Sequence, residues 1–426
     1  MLYIAFIFGA CLLIGIPIAF CLGLSGLFGL WKIDVISYQV LAQRMFTGLD
    51  IFPLMAIPLF ILAGSLMEAG GITRRLVDFS NLLVGHLKGG LAHTNIVASM
   101  LMAGISGAGV ADAAAIGALL IPSMKKEGYS PEFSAAVVAA ASVSGPIIPP
   151  SITMVVYASI VGVSVGGLFL AGIIPGVLLC LSLMVLVFFM ARRHNYVWRS
   201  RRSTIKEMAR GFLSAASALV MPAIIIGGIV GGIFTATEAA AVAVAYAFVI
   251  GVFVYKQIPL RNLRMHLITA GKTSGSILFI IACANILAWV LASQQVPQML
   301  TEYMLSLSTN PYLILLVVNV FLLVVGMFLE TGAAVILLSP ILHPALTGMG
   351  LHPLHVGLIF VLNLSIGLIT PPVGICLFVT CSIANISLEK LAKAIIPFLL
   401  VEFAVLFMVS FLPGLVLCIP RLFGFA

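Results

Sequence analysis

Two short stretches of this chain share one helix-breaking pattern. Residues 144–152 read SGPIIPPSI, and residues 367–375 read GLITPPVGI. Each contains a glycine that is followed, four positions later, by two consecutive prolines. Proline lacks the amide hydrogen that an inner helical turn needs, and glycine weakens a helix. Because both stretches lie inside long apolar segments, each predicts an apolar helix that is broken in its middle.

These breaks belong to a longer internal repeat, which appears when the numbering is shifted by 222. The shift brings glycines onto glycines and prolines onto prolines: Gly104 onto Gly326, Pro122 onto Pro344, Gly128 onto Gly350, Pro131 onto Pro353, Gly145 onto Gly367, Pro149 onto Pro371, Pro150 onto Pro372 and Pro175 onto Pro397. We therefore predict a first repeat over residues 1–210 and a second over residues 211–426, as in transporters that are built from two repeats.

The composition excludes a soluble globular protein. The chain is 62% hydrophobic and 8% charged, whereas soluble domains carry about 25% charge. Its mean hydropathy is +1.25. The first apolar run, about residues 2–30, has no basic residue ahead of it and is too long for a signal peptide, so we expect a permanent span. The seven cysteines are scattered without metal-ligand spacing, which favours small core residues over a metal site.

The basic residues indicate orientation in a bilayer rather than nucleic-acid binding. The net charge is +8, and the largest basic cluster lies in a polar stretch, residues 192–210, between two apolar blocks. Such loops are normally cytoplasmic. Residues 122–131, PSMKKEGYSP, are basic, but their partners in the second repeat, residues 344–353, contain no lysine or arginine. Conversely, the turn at residues 163–167 is uncharged, whereas its partner at 385–389 runs into Lys390. The repeats are therefore predicted to be inverted.

The pattern of breaks predicts an order of elements. We expect re-entrant hairpins at about 90–122 and 311–346, and broken helices at about 131–160 and 354–383. An interfacial arm is expected at 33–48, and spans at about 51–67, 168–190, 211–234, 236–255, 269–291 and 391–412. Three histidines, His343, His352 and His355, are expected in a solvated outer loop.

A broken helix inside a membrane leaves backbone groups that hydrocarbon cannot satisfy. Such breaks are tolerated where they are buried in protein or line a cavity, and there the freed carbonyls can bind cations. A single proline can simply kink a span, which accounts well for Pro222 and Pro397. A simple kink accounts poorly for two matched breaks, each preceded by a glycine-containing hairpin tip. We therefore interpret the breaks as parts of a binding site.

Four acidic residues lie in apolar surroundings, where ionisable groups usually face a cavity or a partner. Asp112 and Glu330 lie at the two hairpin tips, where a site is expected. Glu238 follows Thr235 at a predicted helix start, so capping of that helix is as good an interpretation as a transport role. Glu402 has no polar neighbours in the sequence, and we expect it to face another subunit or a buried partner.

Five segments together resemble the large membrane subunit of tripartite ATP-independent periplasmic (TRAP) transporters. They are GISGAGVADAAAIG, SGPIIPPSI, TATEAAAVAV, GMFLETGAAVILLSPIL and GLITPPVGI, and the resemblance covers nearly the whole chain. It implies an all-α polytopic membrane protein of the elevator type, with two inverted repeats that each contain a re-entrant helical hairpin and a broken transmembrane helix. It also implies a bacterial inner-membrane location and no enzyme activity.

The resemblance further implies a transport activity and partners. The family takes up organic acids such as C4-dicarboxylates or sialic acid with a sodium gradient, and overall similarity favours the sialic-acid branch. It works with a small four-helix membrane subunit and a periplasmic substrate-binding protein. Two Na⁺ sites are implied, the first at Ser106 with the carbonyls of Gly145, Ile148 and Pro149, and the second at Gly326, Met327, Gly367 and Thr370. Substrate is expected near Asp112, Thr153 and Glu330.

Other classes of protein fit the sequence less well. An intramembrane enzyme would need a catalytic constellation at depth, and none is visible. A channel would leave the inverted hairpins unexplained. The nearest competitor is a sodium- or proton-coupled elevator carrier for anions that works without a binding protein. Co-purification with a small membrane subunit would separate these two possibilities.

Overall fold

The computed structural model describes residues 2–32, 38–193, 196, 202–308 and 310–426, and these residues form 20 α-helices. In the first half the helices are α1 Leu2–Leu13, α2 Ile18–Lys32, α3 Tyr38–Leu49, α4 Ala56–Ala69, α5 Ile72–Val84, α6 Gly90–Ser106, α7 Gly109–Lys126, α8 Pro131–Ser142, α9 Ile152–Val161 and α10 Val165–Arg193.

In the second half the helices are α11 Ile205–Val230, α12 Ala236–Val249, α13 Leu260–Ser293, α14 Val296–Leu307, α15 Pro311–Gly326, α16 Thr331–Gly348, α17 Pro353–Gly367, α18 Ile375–Ala384, α19 Leu388–Phe411 and α20 Pro413–Leu422. A 3₁₀ turn, Phe52–Met55, leads into α4, and a π-helical turn, Ile250–Val254, continues α12.

The chain is a multi-pass membrane protein. Within the described ranges, seven helical segments are long and apolar enough to cross a bilayer: Phe52–Ala69, Val165–Arg193, Ile205–Val230, Ala236–Val254, Leu260–Ser293, Thr331–Gly348 and Leu388–Phe411. The segments with the matched breaks are instead divided into shorter helices. The helices α8 and α17 lie at the centre, and α17 is buried at every position from Leu354 to Gly367.

Several boundaries differ from the sequence-based expectations. The first apolar run is two helices rather than one span, because Gly15 adopts φ +84° and Pro17 follows it between α1 and α2. The arm is described only as α3, and residues 33–37 lie outside the described residues. The helices α5, α14 and α20 were not predicted. Two of them, α5 and α14, carry too many polar residues to resemble spans, although each has an apolar face.

The two halves of the chain pack in a crossed manner. The helix α7 packs on α18, and α16 packs on α9, so the second arm of each predicted hairpin lies against the helix that follows the break of the other half. The same exchange holds among the long helices, where α2 packs on α13 and α4 packs on α12. The two halves are therefore interlocked through both sets of helices.

The two predicted hairpins are packed differently. The helices α6 and α7 pack directly against each other, whereas α15 and α16 barely touch and both pack on α17. Residue size explains this difference. The first turns of α7 read GVADAAAIG, which permits close approach, but α15 reads PYLILLVVNVFLLVVG and is bulky throughout. The second hairpin is therefore splayed.

Candidate functional site

The first hairpin tip lies in the first break. The helix α6 ends at Ser106, α7 begins at Gly109, and the break runs from Val143 to Ser151 with a cis peptide bond between Pro149 and Pro150. A Cβ on Gly145 would lie 2.8 Å from Asp112 Oδ2 and 2.9 Å from Gly109 N. A glycine is therefore required at position 145 for the tip and the break to approach this closely.

A buried carboxylate belongs to this first tip. Asp112 is 1% exposed and lies in the first turn of α7, where the helix dipole favours a negative charge. Ser106 Oγ donates a hydrogen bond to Asp112 Oδ1 at 2.5 Å. Among the described residues no group donates to Asp112 Oδ2, which faces Gly145. The tip therefore places a carboxyl oxygen without a protein partner against the break.

The first break also presents unpaired carbonyl groups. Over the part of the chain that the structure describes, no backbone N–H donates to the carbonyl oxygens of Gly145, Ile148 or Pro149. The break is nevertheless ordered by its own bonds, because Ser144 O accepts from the amides of Ile147 and Ile148 at 3.1 and 2.9 Å. Together with Asp112 and Ser106, these carbonyls form a set of hard oxygen donors of the kind that alkali and alkaline-earth cations prefer.

The second tip meets the second break through backbone rather than through a carboxylate. The helix α15 ends at Gly326, and a Cβ on Gly367 would lie 2.6 Å from both the Cα and the O of Gly326. Gly374 N donates to Met327 O at 3.3 Å and so ties the tip to the far side of the break. This break also contains a cis Pro–Pro bond.

The oxygens of the second region are more occupied than those of the first. Gly367 O accepts from Thr370 N at 3.1 Å, and Thr370 Oγ1 donates to Ile366 O at 2.8 Å. Thr370 is 5% exposed, so its hydroxyl is buried beside the tip. Gly326 O and Thr370 O accept no backbone hydrogen bond from any described residue. In the second region, Gly367 O is therefore bonded where its counterpart Gly145 O is free, and the polar side chains include this buried hydroxyl and the exposed Glu330 of the tip.

The three predicted substrate residues occupy different environments. Asp112 belongs to the first tip, and Thr153 lies buried in the first turn of α9. Glu330 is exposed and caps α16, since its carboxylate accepts from Ala333 N at 3.1 Å. Among the described residues no hydrogen bond joins any two of these three side chains. Their grouping into one substrate site stays a prediction.

Two other acidic residues can now be placed. Glu238 is exposed and forms a capping box with Thr235, so helix capping was the correct one of its two interpretations. Glu402 is 0% exposed, and neither carboxylate oxygen has a partner among the described residues. Of its two expected environments, the surface of another subunit is wrong, because α19 packs on α8 and α10 and buries this position inside the chain, and the buried partner stays a prediction.

The outer-loop prediction for the histidines is also wrong for two of them. His343 lies within α16, and its Nδ1 is 2.6 Å from the hydroxyl of buried Tyr157 on α9. His355 lies within α17, and its Nε2 is 2.8 Å from Val409 O. Only His352 precedes a helix, as the N-cap of α17. Burial and the nearby charge of Arg421 lower the pKa of His352.

The sequence-based reasoning missed a buried amide network beside the second hairpin. Asn363 Nδ2 donates to Asn319 Oδ1 at 2.8 Å, and Asn319 Nδ2 donates to Ser410 Oγ at 3.0 Å. These bonds tie α15 to α17 and α19. On the first hairpin, Asn95 Nδ2 donates to Val137 O at 3.1 Å. Isolated asparagines in apolar runs were the available signal, because a buried amide needs a partner.

Solved structures and family models identify the class of protein. The fold resembles that of the YdaH transporter from Alcanivorax borkumensis, with a TM-score of 0.66 over 88% of each chain, and at 14% identity this likeness concerns the fold alone. Residues 5–415 match the family model described as "Tripartite ATP-independent periplasmic transporter, DctM component". The chain belongs to this family: it is the large permease subunit of a TRAP transporter and not an enzyme, as the sequence motifs predicted.

Relatives with different named substrates are similar to this chain to nearly the same degree. The sialic acid TRAP transporter large permease SiaM of Vibrio cholerae is 39% identical over 412 residues, which cover 96% of each protein. The C4-dicarboxylate TRAP transporter large permease DctM of Pseudomonas aeruginosa is 41% identical over 403 residues, which cover 95% of this chain and 94% of that protein. Overall identity therefore does not single out a substrate branch.

Proposed function

We propose that this chain forms the transport pathway for sodium-coupled uptake of an organic acid. The observation that carries the proposal is the meeting of each hairpin tip with its break. At the first meeting point, Asp112 Oδ2 and the carbonyls of Gly145, Ile148 and Pro149 are oxygens without protein partners. A buried anionic oxygen of this kind is costly unless a cation compensates it. A desolvated Na⁺ ion supplies that compensation.

Two sodium sites follow from this interpretation. The first would use Ser106 and the free carbonyls of the first break, with Asp112 added to the set that the family resemblance implied. The second would use Gly326 and Met327 of the tip with Gly367 and Thr370 of the break. Thr370 Oγ1 keeps a lone pair for a cation while it donates to Ile366 O. Organic acid would bind between the tips, near Thr153 and Glu330.

The transport step is proposed to be an elevator movement of two inverted repeats. The crossed packing of α7 with α18 and of α16 with α9 supports this proposal, because it joins both tips and both breaks into one unit. The helices α2, α4, α12 and α13 are joined because α2 and α4 both pack on α13 and α4 also packs on α12, and they would form the fixed scaffold. The unequal content of basic residues in equivalent loops supports the inversion. Both sites would then cross the membrane together rather than open separately.

The partners are proposed from the tripartite character of the family. A small four-helix membrane subunit and a periplasmic substrate-binding protein would complete the transporter in the bacterial inner membrane. Sialic acid and C4-dicarboxylates are the substrate classes to test first, because they are named for relatives of nearly equal identity. Neither tip, residues 104–112 or 326–332, contains an arginine or lysine that could select an anion, and the choice of acid is proposed to rest with the binding protein.

Reconstituted uptake tests this proposal directly. The chain would be purified with its small subunit, placed in proteoliposomes and supplied with the loaded binding protein. An inward sodium gradient should drive uptake, and a proton gradient without sodium should not. Equal uptake with protons alone would overturn sodium coupling. Full uptake without the binding protein would instead favour the carrier that works alone.

A further inference from the structure

A large apolar cleft lies between the splayed second hairpin and the helices α1 and α13. Its volume is about 640 Å³, and every residue that lines it is apolar. One wall is formed by α1 and α13, with Ile4, Phe8 and Leu12 spaced along a single face of α1. The other wall is formed by α15 and α16, and the cleft continues to the tip at Phe328.

The chemistry of the cleft excludes water and polar ligands as occupants. A water molecule needs two or more polar partners, and this lining offers almost none. The rim of the cleft is open and apolar, since Phe321 is 46% and Phe328 is 56% exposed, and on a multi-pass membrane protein such side chains suit contact with lipid tails. Hydrocarbon from the bilayer can therefore enter sideways. An empty cleft would cost the dispersion contacts of all its lining atoms.

We propose that this cleft holds an acyl chain of a membrane phospholipid. An apolar cavity of about 150 Å³ is enough to bind benzene, so a cleft of about 640 Å³ has room for a long hydrocarbon chain. Lipid tails are as apolar in the bilayer as in the cleft, so contact packing rather than the hydrophobic effect holds the chain there. The chain fills the gap that the bulky residues of α15 leave between the hairpin and the scaffold wall.

The site recognises the chain rather than the headgroup. Near its α14 end the cleft reaches Val296, next to exposed Gln294 and Gln295. Residues 273–301 contain no charged side chain that could select an anionic headgroup. Occupancy should therefore depend on chain length and hardly on headgroup charge.

Photolabelling tests the occupant. The full-length chain would be placed in phosphatidylcholine nanodiscs that contain a small share of phosphatidylcholine with a diazirine in its acyl chain. After irradiation, adducts would be mapped by mass spectrometry. The diagnostic position is Leu338 on α16, which lines the cleft but is only 8% exposed, so that label can reach it only from inside.

Two tryptophan variants distinguish the cleft from the general surface of the hairpin. Val324→Trp narrows the cleft, and Val317→Trp, at a similarly exposed position of α15 outside the lining, is the matched control. We expect adducts around Leu338 in the wild type, a severalfold loss in Val324→Trp and no loss in Val317→Trp. If Val324→Trp does not fold, Leu12→Trp narrows the cleft from the opposite wall.

Three outcomes would overturn the proposal. They are the absence of adducts around Leu338 in the wild type, equal labelling in the narrowed variants, and full protection when the small subunit is co-purified. The last result would show that a protein segment, rather than lipid, occupies the cleft. Equal labelling by phosphatidylcholine and phosphatidylglycerol probes would support recognition of the chain rather than the headgroup.

Discussion

The two tip-and-break regions share a backbone plan but differ in charge. In the first region, a carboxylate with one free oxygen faces several unpaired carbonyls across Gly145. In the second region, Gly326 and Gly367 touch through their backbones, two carbonyls are already hydrogen-bonded, and a threonine hydroxyl is the polar side chain. Under the proposed function, one repeated backbone would hold two unequal cation sites, and the carboxylate of Asp112 would make the first the stronger.

The largest effect should come from Gly367→Ala. The added Cβ would lie within 2.6 Å of Gly326 Cα and O, which are backbone atoms that cannot turn aside. Overpacking of this kind costs about 1–3 kcal/mol, which corresponds to roughly 5- to 150-fold weaker sodium binding at the second site. Sodium titration of uptake in proteoliposomes measures the change.

Gly275→Ala is the matched control for this substitution, because nothing lies within 4 Å of its added Cβ. It should transport normally. Normal sodium affinity in a folded Gly367→Ala protein would contradict the difference between the two regions, since the second tip would then not need its close approach to the break.

The next effect should come from Asp112→Asn. Asparagine keeps the shape of the side chain but removes the charge that faces Gly145. We expect the half-saturating sodium concentration to rise about tenfold, equivalent to about 1.4 kcal/mol, with the order of substrate preference unchanged. Uptake and sodium-dependent thermal stability would both be measured. An unchanged sodium response with altered substrate preference would instead support the sequence-based prediction that Asp112 belongs to the substrate site.

A smaller effect is expected for Thr370→Val. The change removes the buried hydroxyl of the second region but leaves its backbone oxygens, so sodium affinity should fall about two- to fivefold. Substrate preference should not change. Thr380→Val is a matched control, because Thr380 Oγ1 makes an equivalent bond to Cys376 O at 2.9 Å on α18. A loss of the same size in both variants would show that Thr370 acts only through helix stability.

Tyr157→Phe should have the smallest effect on sodium activation. It tests the link between the two regions. The Tyr157–His343 bond joins the helix after the first break to the second arm of the second hairpin. Its loss should cost about 1 kcal/mol of stability and reduce the cooperativity of sodium activation. Tyr246→Phe removes a comparable bond to Ser217 O among the long helices and should leave cooperativity intact. Equal cooperativity in the two variants would contradict the link.

The sequence predicted best the features that local backbone chemistry determines. Glycine and proline mark the ends of α6, α15 and α17, because their effects on a helix do not depend on distant residues. The capping of α12 by Thr235 and Glu238 was equally visible. Family resemblance, rather than spacing, supplied the pairing of tip with break.

The features that were missed depend on contacts between distant segments. The hydrogen bond between Tyr157 and His343 joins residues that are 186 positions apart in the sequence, and no local pattern predicts it. The interior position of Glu402 depends on which face of α19 meets α8 and α10. The splay of the second hairpin could have been suspected from the bulk of α15, but only the packing of both arms on α17 made it plain.

The crossed packing of the helices has a consequence for how the protein is made. The helix α9 leaves the ribosome roughly 170 residues before α16, the helix that it must pack against. At about 5–20 residues per second, this delay is on the order of 10–30 s. During that time the first break has no finished protein surroundings, and its polar backbone must be shielded by the insertion machinery or by water. During biogenesis of this permease, the first half therefore stays incompletely packed until the second half has been inserted.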